Sequence, residues 1–299
     1  MNKIAQNKWR ILRRIVQFGI ILLLLSPLLK LSVFRGTLIS GELFGVSLVD
    51  PFAAIDFMMA AKTIYVSVIF GALILVGFYF IVGGRVFCGW VCPIYLLSEF
   101  SLKLHKKFAL YNMKPSASFK YYLFALFLLL SVITSKPVFE LISPIGIISQ
   151  NIALGIDRPQ AQFGKELESS VDIVNSGYSS SLMSDSYYDW QILFNSSLWL
   201  IVLILLVDIF FSKGWWCRYA CPVGTFYTLL GKYSPVKIKI DHVACTKCNE
   251  CFDVCLPSNV LIDPVQGNTN WVIDSSCTNC LNCIDICPED ALKISLKIK

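Results

Sequence analysis

Apolar positions in this chain come in long blocks rather than in a helical or alternating period. A block of about 20 residues matches the ~30 Å hydrocarbon core of a bilayer at 1.5 Å per helical residue. Four blocks approach that length: Ile15–Leu31, Ile64–Val82, Tyr121–Thr134 and Ser197–Phe211. The third is the weakest, because Lys136 and Pro137 interrupt it before Ile142. The blocks predict an all-α membrane domain of four transmembrane helices over residues 1–236. After Tyr233 the blocks stop, and residues 237–299 read as a small α+β module.

The first block follows a basic stretch, as a secretory signal would, and Arg13-Arg14 resembles a twin-arginine export motif. No small-residue cleavage site follows Leu31, so the block reads as an uncleaved helix and the arginine pair as its cytoplasmic anchor. Four spans place both termini on one side, and Lys and Arg say which side. Lys3, Lys8, Arg10, Arg13 and Arg14 precede the first span; Arg85, Lys103, Lys106, Lys107, Lys114 and Lys120 lie between the second and third. Nine more follow the fourth span, leaving Lys30, Arg35, Lys62, Lys136, Arg158 and Lys165 for the opposite face. The expectation is a multi-pass protein of the cytoplasmic (inner) membrane with cytoplasmic termini. The outward connections are then Ser32–Lys62, semi-apolar and suited to the membrane surface, and the polar residues 143–190, expected in the periplasm.

Composition agrees with that placement. With 56% hydrophobic residues, 15% charged and a mean hydropathy of +0.64, the chain is too apolar for an ordinary soluble domain and too poor in charge for a disordered one. The net charge of +6 is accounted for by the membrane topology, and no aromatic-basic motif supports nucleic-acid binding. Haem is not expected, because bis-imidazole ligation needs two inward-facing His per haem and neither His105 nor His242 lies in an apolar block.

Eight of the twelve cysteines fall in the last 60 residues: Cys245, Cys248, Cys251 and Cys255, then Cys277, Cys280, Cys283 and Cys287. Each set has the spacing C-x2-C-x2-C-x3-C, that of two-cluster bacterial ferredoxins. Zinc sites built from two C-x2-C pairs do not explain a third cysteine at the same interval in both halves, and disulfides do not suit a reducing compartment. Two [4Fe-4S] clusters are the expected cofactors, and a module this small needs such staples. Resemblance to bacterial ferredoxins implies that Cys245, Cys248, Cys251 and Cys287 hold the first cluster, and Cys277, Cys280, Cys283 and Cys255 the second. Leu256 separates Cys255 from Pro257, one residue out of the usual pattern.

The other four cysteines form an internal repeat, Cys88-Gly-Trp-Val-Cys92-Pro93 and Cys217-Arg-Tyr-Ala-Cys221-Pro222. Each copy follows an apolar block and a Gly/basic break. Proline at a first helical position would place Cys92 and Cys221 at helix N-termini, where the dipole and free N–H groups favour thiolate. Cys88, Cys92, Cys217 and Cys221 suit a shared metal ion or cluster, redox-active thiol pairs, or structural burial, and the motif does not choose among them.

Taken together, the blocks, the CxxxCP pair and the two-cluster module resemble the NapH-type membrane ferredoxins of periplasmic nitrate reductase systems. The chain is similar, more distantly, to the membrane cores of the nitrous-oxide regulators and the oxidase accessory ferredoxins. The resemblance implies a quinol dehydrogenase subunit that oxidises quinol from the membrane quinone pool and passes electrons toward a periplasmic reductase. It implies a periplasmic ferredoxin-like subunit as a further partner. The alternative is an accessory or regulatory iron-sulfur protein that supplies electrons for maturation of another enzyme, or reduces a metal at the CxxxCP cysteines. No motif marks a quinone site; Asp56, Lys62, Glu140, Ser143, Gln150 and Asp208 are the polar residues nearest the apolar blocks.

Overall fold

The computed structural model describes residues 7–24, 34–36, 40–43, 46–108, 116, 118–139, 143 and 189–297. The chain divides into two compact units, one of Ile21–Val76 and Tyr122–Leu203, the other of Met1–Ile20, Gly77–Tyr121 and Ile204–Lys299. All twelve cysteines belong to the second.

In the first unit, β1 (Phe34–Gly36), β2 (Ser40–Leu43) and β3 (Val46–Val49) form an antiparallel sheet in that order, with Arg35 opposite Glu42 and Gly41 opposite Leu48. Helix α2 (Pro51–Ala61) follows at once. Its start is fixed by Pro51 and by the Asp50 carboxylate, which accepts from the Phe52 and Ala53 N–H groups at 3.0 and 3.2 Å. It ends at Lys62, whose φ of 54° breaks the helix. Phe52 is fully buried against the rings of Phe124 and Phe139, at 5.4 and 5.2 Å.

The remaining long helices are α1 (Lys8–Leu24), α3 (Val66–Val82), α4 (Pro93–Phe108), α5 (Phe119–Thr134) and α6 (Asp189–Phe210). Among the described residues no helix is long and apolar enough to cross a membrane, which overturns the expected all-α domain of four transmembrane helices. The described helices differ from the expected spans in length and composition. Helix α1 begins in the basic run Lys8–Arg14 and is described as far as Leu24. Helix α3 has 17 residues, about 26 Å at 1.5 Å per residue. Helix α5 has 16 and stops at Ser135, which turns left-handed (φ 51°) ahead of Lys136-Pro137. Helix α6 has 22 residues, with the polar Asp189, Gln191, Asn195, Ser196 and Ser197 in its first half. The Ser32–Lys62 connection is no simple surface loop either, since it holds the sheet and α2. The expected periplasmic segment 143–190 lies outside the described residues except for Ser143, Asp189 and Trp190.

In the cysteine-bearing unit, α7 (Pro222–Tyr233) leads into β4 (Val236–Ile240), which pairs antiparallel with β5 (Leu292–Leu296) from Val236 opposite Leu296 to Ile240 opposite Leu292. The pairing closes the two ends of the carboxy-terminal module. Between the strands lie the short helices α8 (Glu250–Val254), α9 (Ile262–Gln266) and α10 (Asn282–Ile286). Ile238, Ile240, Val260, Leu261, Val265, Val272, Leu281 and Leu292 form the core, with Cys255 and Cys283 inside it.

The module is held to the start of the chain. The first-turn N–H groups of α1, at Trp9 and Arg10, donate to the Asp285 carboxylate of α10 at 3.3 and 2.8 Å. One turn later Arg13, fully buried, donates to Cys280 O (3.4 Å), Asn282 Oδ1 (3.1 Å) and Glu99 of α4. Glu99 also accepts from Arg14 and Asn282, at 2.8 and 2.7 Å. A buried cation left without its carboxylate is strongly destabilising. Glu99→Gln should therefore lower unfolding stability by about 3 kcal/mol, read from the denaturation midpoint. The double variant Arg13→Met/Glu99→Met should recover part of that loss, because it removes the unpaired charge as well.

Candidate iron-sulfur site

The two C-x2-C-x2-C loops adopt the same backbone. Lys247 and Asn249 in the first, Asn279 and Leu281 in the second, occupy equivalent places and all have positive φ, of 55°, 65°, 44° and 63°. Left-handed backbone at non-glycine residues costs energy and persists only when the surroundings impose it. Here it curls each loop so that its thiols face inward. Cys245, Cys248, Cys251 and Cys287 line one cavity; Cys255, Cys277, Cys280 and Cys283 line a second. The fourth cysteine of each motif thus sits in the cavity of the other.

Electrostatics follows the same grouping. Burial pushes the Cys251 thiol up to about 11, and the sulfurs of Cys248, Cys245 and Cys287 push in the same direction. Cys255 is held well above its ordinary range by burial and then by Cys280, Cys283 and Cys277. Cys277 reaches about 12, again chiefly by burial. None of the twelve cysteines is in a disulfide. Among the described residues no group of three or more His, Cys, Asp or Glu closes on a single metal-ion position. A cubane takes its ligands on four separate irons, so thiols spread around a cavity suit a cluster better than one tetrahedral zinc. The donor sets fit [4Fe-4S] clusters, which would supply one-electron chemistry.

The CxxxCP motifs are likewise equivalent. Each begins as a π-helical turn, Phe87–Val91 and Trp216–Ala220, and each ends in an extended cysteine, Cys92 (φ −69°, ψ 121°) and Cys221 (φ −73°, ψ 113°). The cause is the following proline, which excludes the α region from the residue before it and then starts α4 or α7. The two turns converge: the sulfur of Cys92 is influenced by Cys88 and Cys221, and that of Cys217 by Cys92 and Cys221. The helix starts do pull toward thiolate, through the N–H groups of Ile94 and Tyr95 at Cys92 and of Gly224 and Val223 at Cys221. Burial outweighs them, so Cys92 is raised and Cys221 stands at about 12. Without a bound cation these thiols keep their protons.

Several residues that the sequence did not single out complete the site. Burial works against the Arg85 cation, but Cys88, Cys217 and Cys221, once deprotonated by a bound metal or cluster, outweigh it and stabilise the charge. Arg85 donates to Cys217 O at 2.6 Å and Ser276 O at 3.1 Å, joining the CxxxCP group to the second cavity's loop. Trp90 donates to Asn279 O (2.9 Å), and the Tyr95 hydroxyl lies 3.2 Å from Thr278 Oγ1. Gly89 lets the backbones touch: a Cβ there would lie 3.0 Å from Thr278 O and 3.3 Å from Cys280 Cβ. Ser98 donates to Asp208 Oδ2 at 2.8 Å and lies 3.7 Å from Cys217 Sγ. Arg85 was visible three residues ahead of its motif, but only as one more charge setting membrane orientation.

The polar residues considered for quinone belong to both compact units. Asp56 is buried in one compact unit and Asp208 in the other, while Lys62 is an exposed helix end and Ser143 is buried. Glu140 and Gln150 lie outside the described residues.

Gly84 (φ 63°) packs directly on α7, where a Cβ would come within 2.3 Å of Gly231 Cα. Gly84→Ala should cost about 2 kcal/mol or more, seen as a lowered thermal midpoint. Gly267→Ala is the matched comparison, with positive φ (101°) but open space around it, and should lose less.

Comparison with known proteins agrees with this geometry. A family described as "4Fe-4S binding domain" matches residues 65–110 and 194–241, the segments that carry the CxxxCP motifs. A "4Fe-4S dicluster domain" matches residues 237–288. The chain is 27% identical to the methylamine utilization ferredoxin-type protein MauN of Paracoccus denitrificans, covering 88% of this chain and 81% of that one. It is 28% identical to MauN of Methylobacillus flagellatus, over 89% and 82% of the two chains. The ferredoxin-type protein NapH of Haemophilus influenzae is 27% identical over 87% and 79%. No solved structure matches the chain. The protein is therefore a ferredoxin-type iron-sulfur electron-transfer protein, related over most of its length to NapH and MauN.

Proposed function

We propose that the protein is a quinol dehydrogenase subunit that takes electrons from membrane quinol and passes them toward a periplasmic reductase such as nitrate reductase. The observation that carries this reading is the juxtaposition of three four-thiol groups in one compact unit. The CxxxCP group lies against the second cavity through Arg85, Trp90 and Gly89, and the second cavity shares its two motifs with the first. Cys245, Cys248, Cys251 and Cys287 hold one [4Fe-4S] cluster, Cys277, Cys280, Cys283 and Cys255 another, and Cys88, Cys92, Cys217 and Cys221 act as one further metal, cluster or thiol centre. The relatives named ferredoxin-type protein NapH support the electron-transfer part of this reading, and quinol and nitrate are what the resemblance to NapH-type membrane ferredoxins implies.

Exposed apolar faces support a place at the cytoplasmic membrane. Ile15, Phe18 and Leu22 of α1, and Val66, Phe70, Leu73 and Ile81 of α3, are all more than half exposed. Tyr122 and Ile133 of α5 and Trp199 of α6 are more exposed still. Surfaces of this kind are covered in a working protein, and lipid carrying a dissolved quinol is the covering this function needs. In this reading the cysteine-bearing unit faces the cytoplasm, with a periplasmic ferredoxin-like subunit and reductase as downstream partners.

The second reading, an accessory iron-sulfur protein that supplies electrons for maturation of another enzyme or reduces a metal at the CxxxCP thiols, is favoured by the exposure of Cys248. That opening in the first cavity suits exchange with a soluble partner.

The anaerobically assembled protein should carry about eight iron and eight acid-labile sulfide atoms in its carboxy-terminal module. Cys255→Ser should disturb the cluster of Cys277, Cys280 and Cys283 and leave its neighbour intact; loss of the other cluster instead would contradict the crossed ligation. Replacing any one of Cys88, Cys92, Cys217 and Cys221 by Ser should cause nearly the whole loss of quinol-dependent activity, and a second replacement should add little, because members of a unit are non-additive. Stopped-flow absorbance with a quinol analogue under anaerobic conditions tests the function itself. Reduction of the clusters, with faster reoxidation when the periplasmic partner is present, is expected; clusters that stay oxidised in both cases favour the accessory reading.

A further inference from the structure

The two ferredoxin cavities share a ligand pattern and a backbone, yet their charge surroundings are opposite. The second is ringed by cations. Arg13 donates to Cys280 O, Arg85 to Ser276 O, and the Lys120 ammonium to Ser276 Oγ at 3.2 Å. Burial lowers Lys237 and Arg218 below their ordinary range, with Cys277 opposing it at Lys237 and Tyr219 and Cys255 at Arg218, and the Lys237 ammonium donates to Gly231 O. Arg13, Arg85, Lys120 and Lys237 are buried. Opposing them are Glu99, already bonded to Arg13 and Arg14, and Asp274, which is exposed. The first cavity has Lys247 beside Glu250 and Glu289, with Asp253 and Asp290 close in sequence, and its Cys248 is open to water.

Reduction adds one negative charge to a cluster, so neighbouring cations stabilise the reduced form and neighbouring carboxylates oppose it. Burial by itself would lower the second potential, and exposure would raise the first. Charges held in the interior act through a low dielectric, whereas exposed ones are screened. Arg13 and Arg85 hold their charge despite burial, and it is these two guanidiniums that oppose the burial penalty at the second cluster.

From this asymmetry we infer that the second cluster, held by Cys255, Cys277, Cys280 and Cys283, is the electron sink of the module, and the first is its low-potential port at Cys248. The inference rests on the two-cluster reading above. One electron from a low-potential one-electron reductant enters the first cluster, which passes from its oxidised to its singly reduced state. The first cluster is reoxidised as the same electron moves to the second, and no bond or proton changes place. The electron comes to rest beside Arg85, against the CxxxCP group.

The test is a dithionite redox titration of the full-length protein, followed by low-temperature EPR. Signals are assigned by Cys248→Ser, which alters the first cluster, and Cys283→Ser, which alters the second. The signal that appears first on reduction should be the one changed by Cys283→Ser. Arg85→Gln should lower the second potential enough to shift the electron's partition toward the first cluster at least tenfold, about 59 mV for one electron, and leave the first potential in place. Lys120→Gln, on a less buried side chain, should act in the same direction with a smaller shift and serves if Arg85→Gln does not fold. Equal potentials, a first-cluster signal that appears earlier, or shifts that move both clusters together would overturn the inference. Absence of iron altogether would instead count against the two-cluster reading, which the iron assay reads separately.

Discussion

Negative charge cannot be buried alone, and the cysteine-bearing unit is organised around that constraint. A cluster with four thiolate ligands is an anion, and removing it from water is tolerable only if positive charge is removed with it. Here the compensation comes from five different places in the chain: Arg13 in α1, Arg85 ahead of the first π turn, Lys120 in α5, Arg218 in the second π turn and Lys237 in β4. Arg13, Arg85 and Lys120 donate to the loop from Ser276 to Cys280, while Lys237 acts on Cys277 and Arg218 on Cys255 only through the field. One short loop thus decides where several helices lie. The close approaches at Gly84 and Gly89 follow from it, because a guanidinium reaches a backbone carbonyl only if the chains carrying them can come together.

The same constraint explains how two copies of one motif are used differently. Both loops carry left-handed residues at equivalent positions, so the local shape that gathers thiols belongs to the motif itself. What differs is the tertiary surroundings: one copy is docked on the CxxxCP turns and the other is left facing solvent. Water takes the place of buried cations at the second motif's twin, and few charges from the rest of the chain are needed there.

Spacing was legible where chemistry is local. The C-x2-C-x2-C-x3-C runs announce loops that surround a cavity, and proline after Cys92 and Cys221 dictates an extended cysteine followed by a helix. Longer-range facts were not. The pairing of Cys255 with the second loop depends on resemblance and on the fold, since nothing in the spacing says which cavity a fourth cysteine enters. Arg13 and Arg85 read as surface charges because sequence counts a charge without its burial. The four-span reading failed for a related reason: apolar runs show what avoids water, but not where a helix ends. Ser135, left-handed at the end of α5, sets one such limit. Strands of three or four residues, as in β1 to β3, carry too few positions for alternation to show.

The capping of α1 by Asp285 has a consequence for the order in which the protein is made. The partners are 276 and 275 residues apart, so α1 leaves the ribosome with no acceptor for its opening amides until the stretch that ends in α10 has followed. At roughly 5–20 residues per second, that is an interval of some tens of seconds. Throughout it Arg13 also lacks Cys280 and Asn282, and for its first part it lacks Glu99. Helix α1 is closed long after it is made, and its closure waits on the assembly of the ferredoxin module. Cofactor insertion and the docking of α1 are thereby tied to one another across about 270 residues.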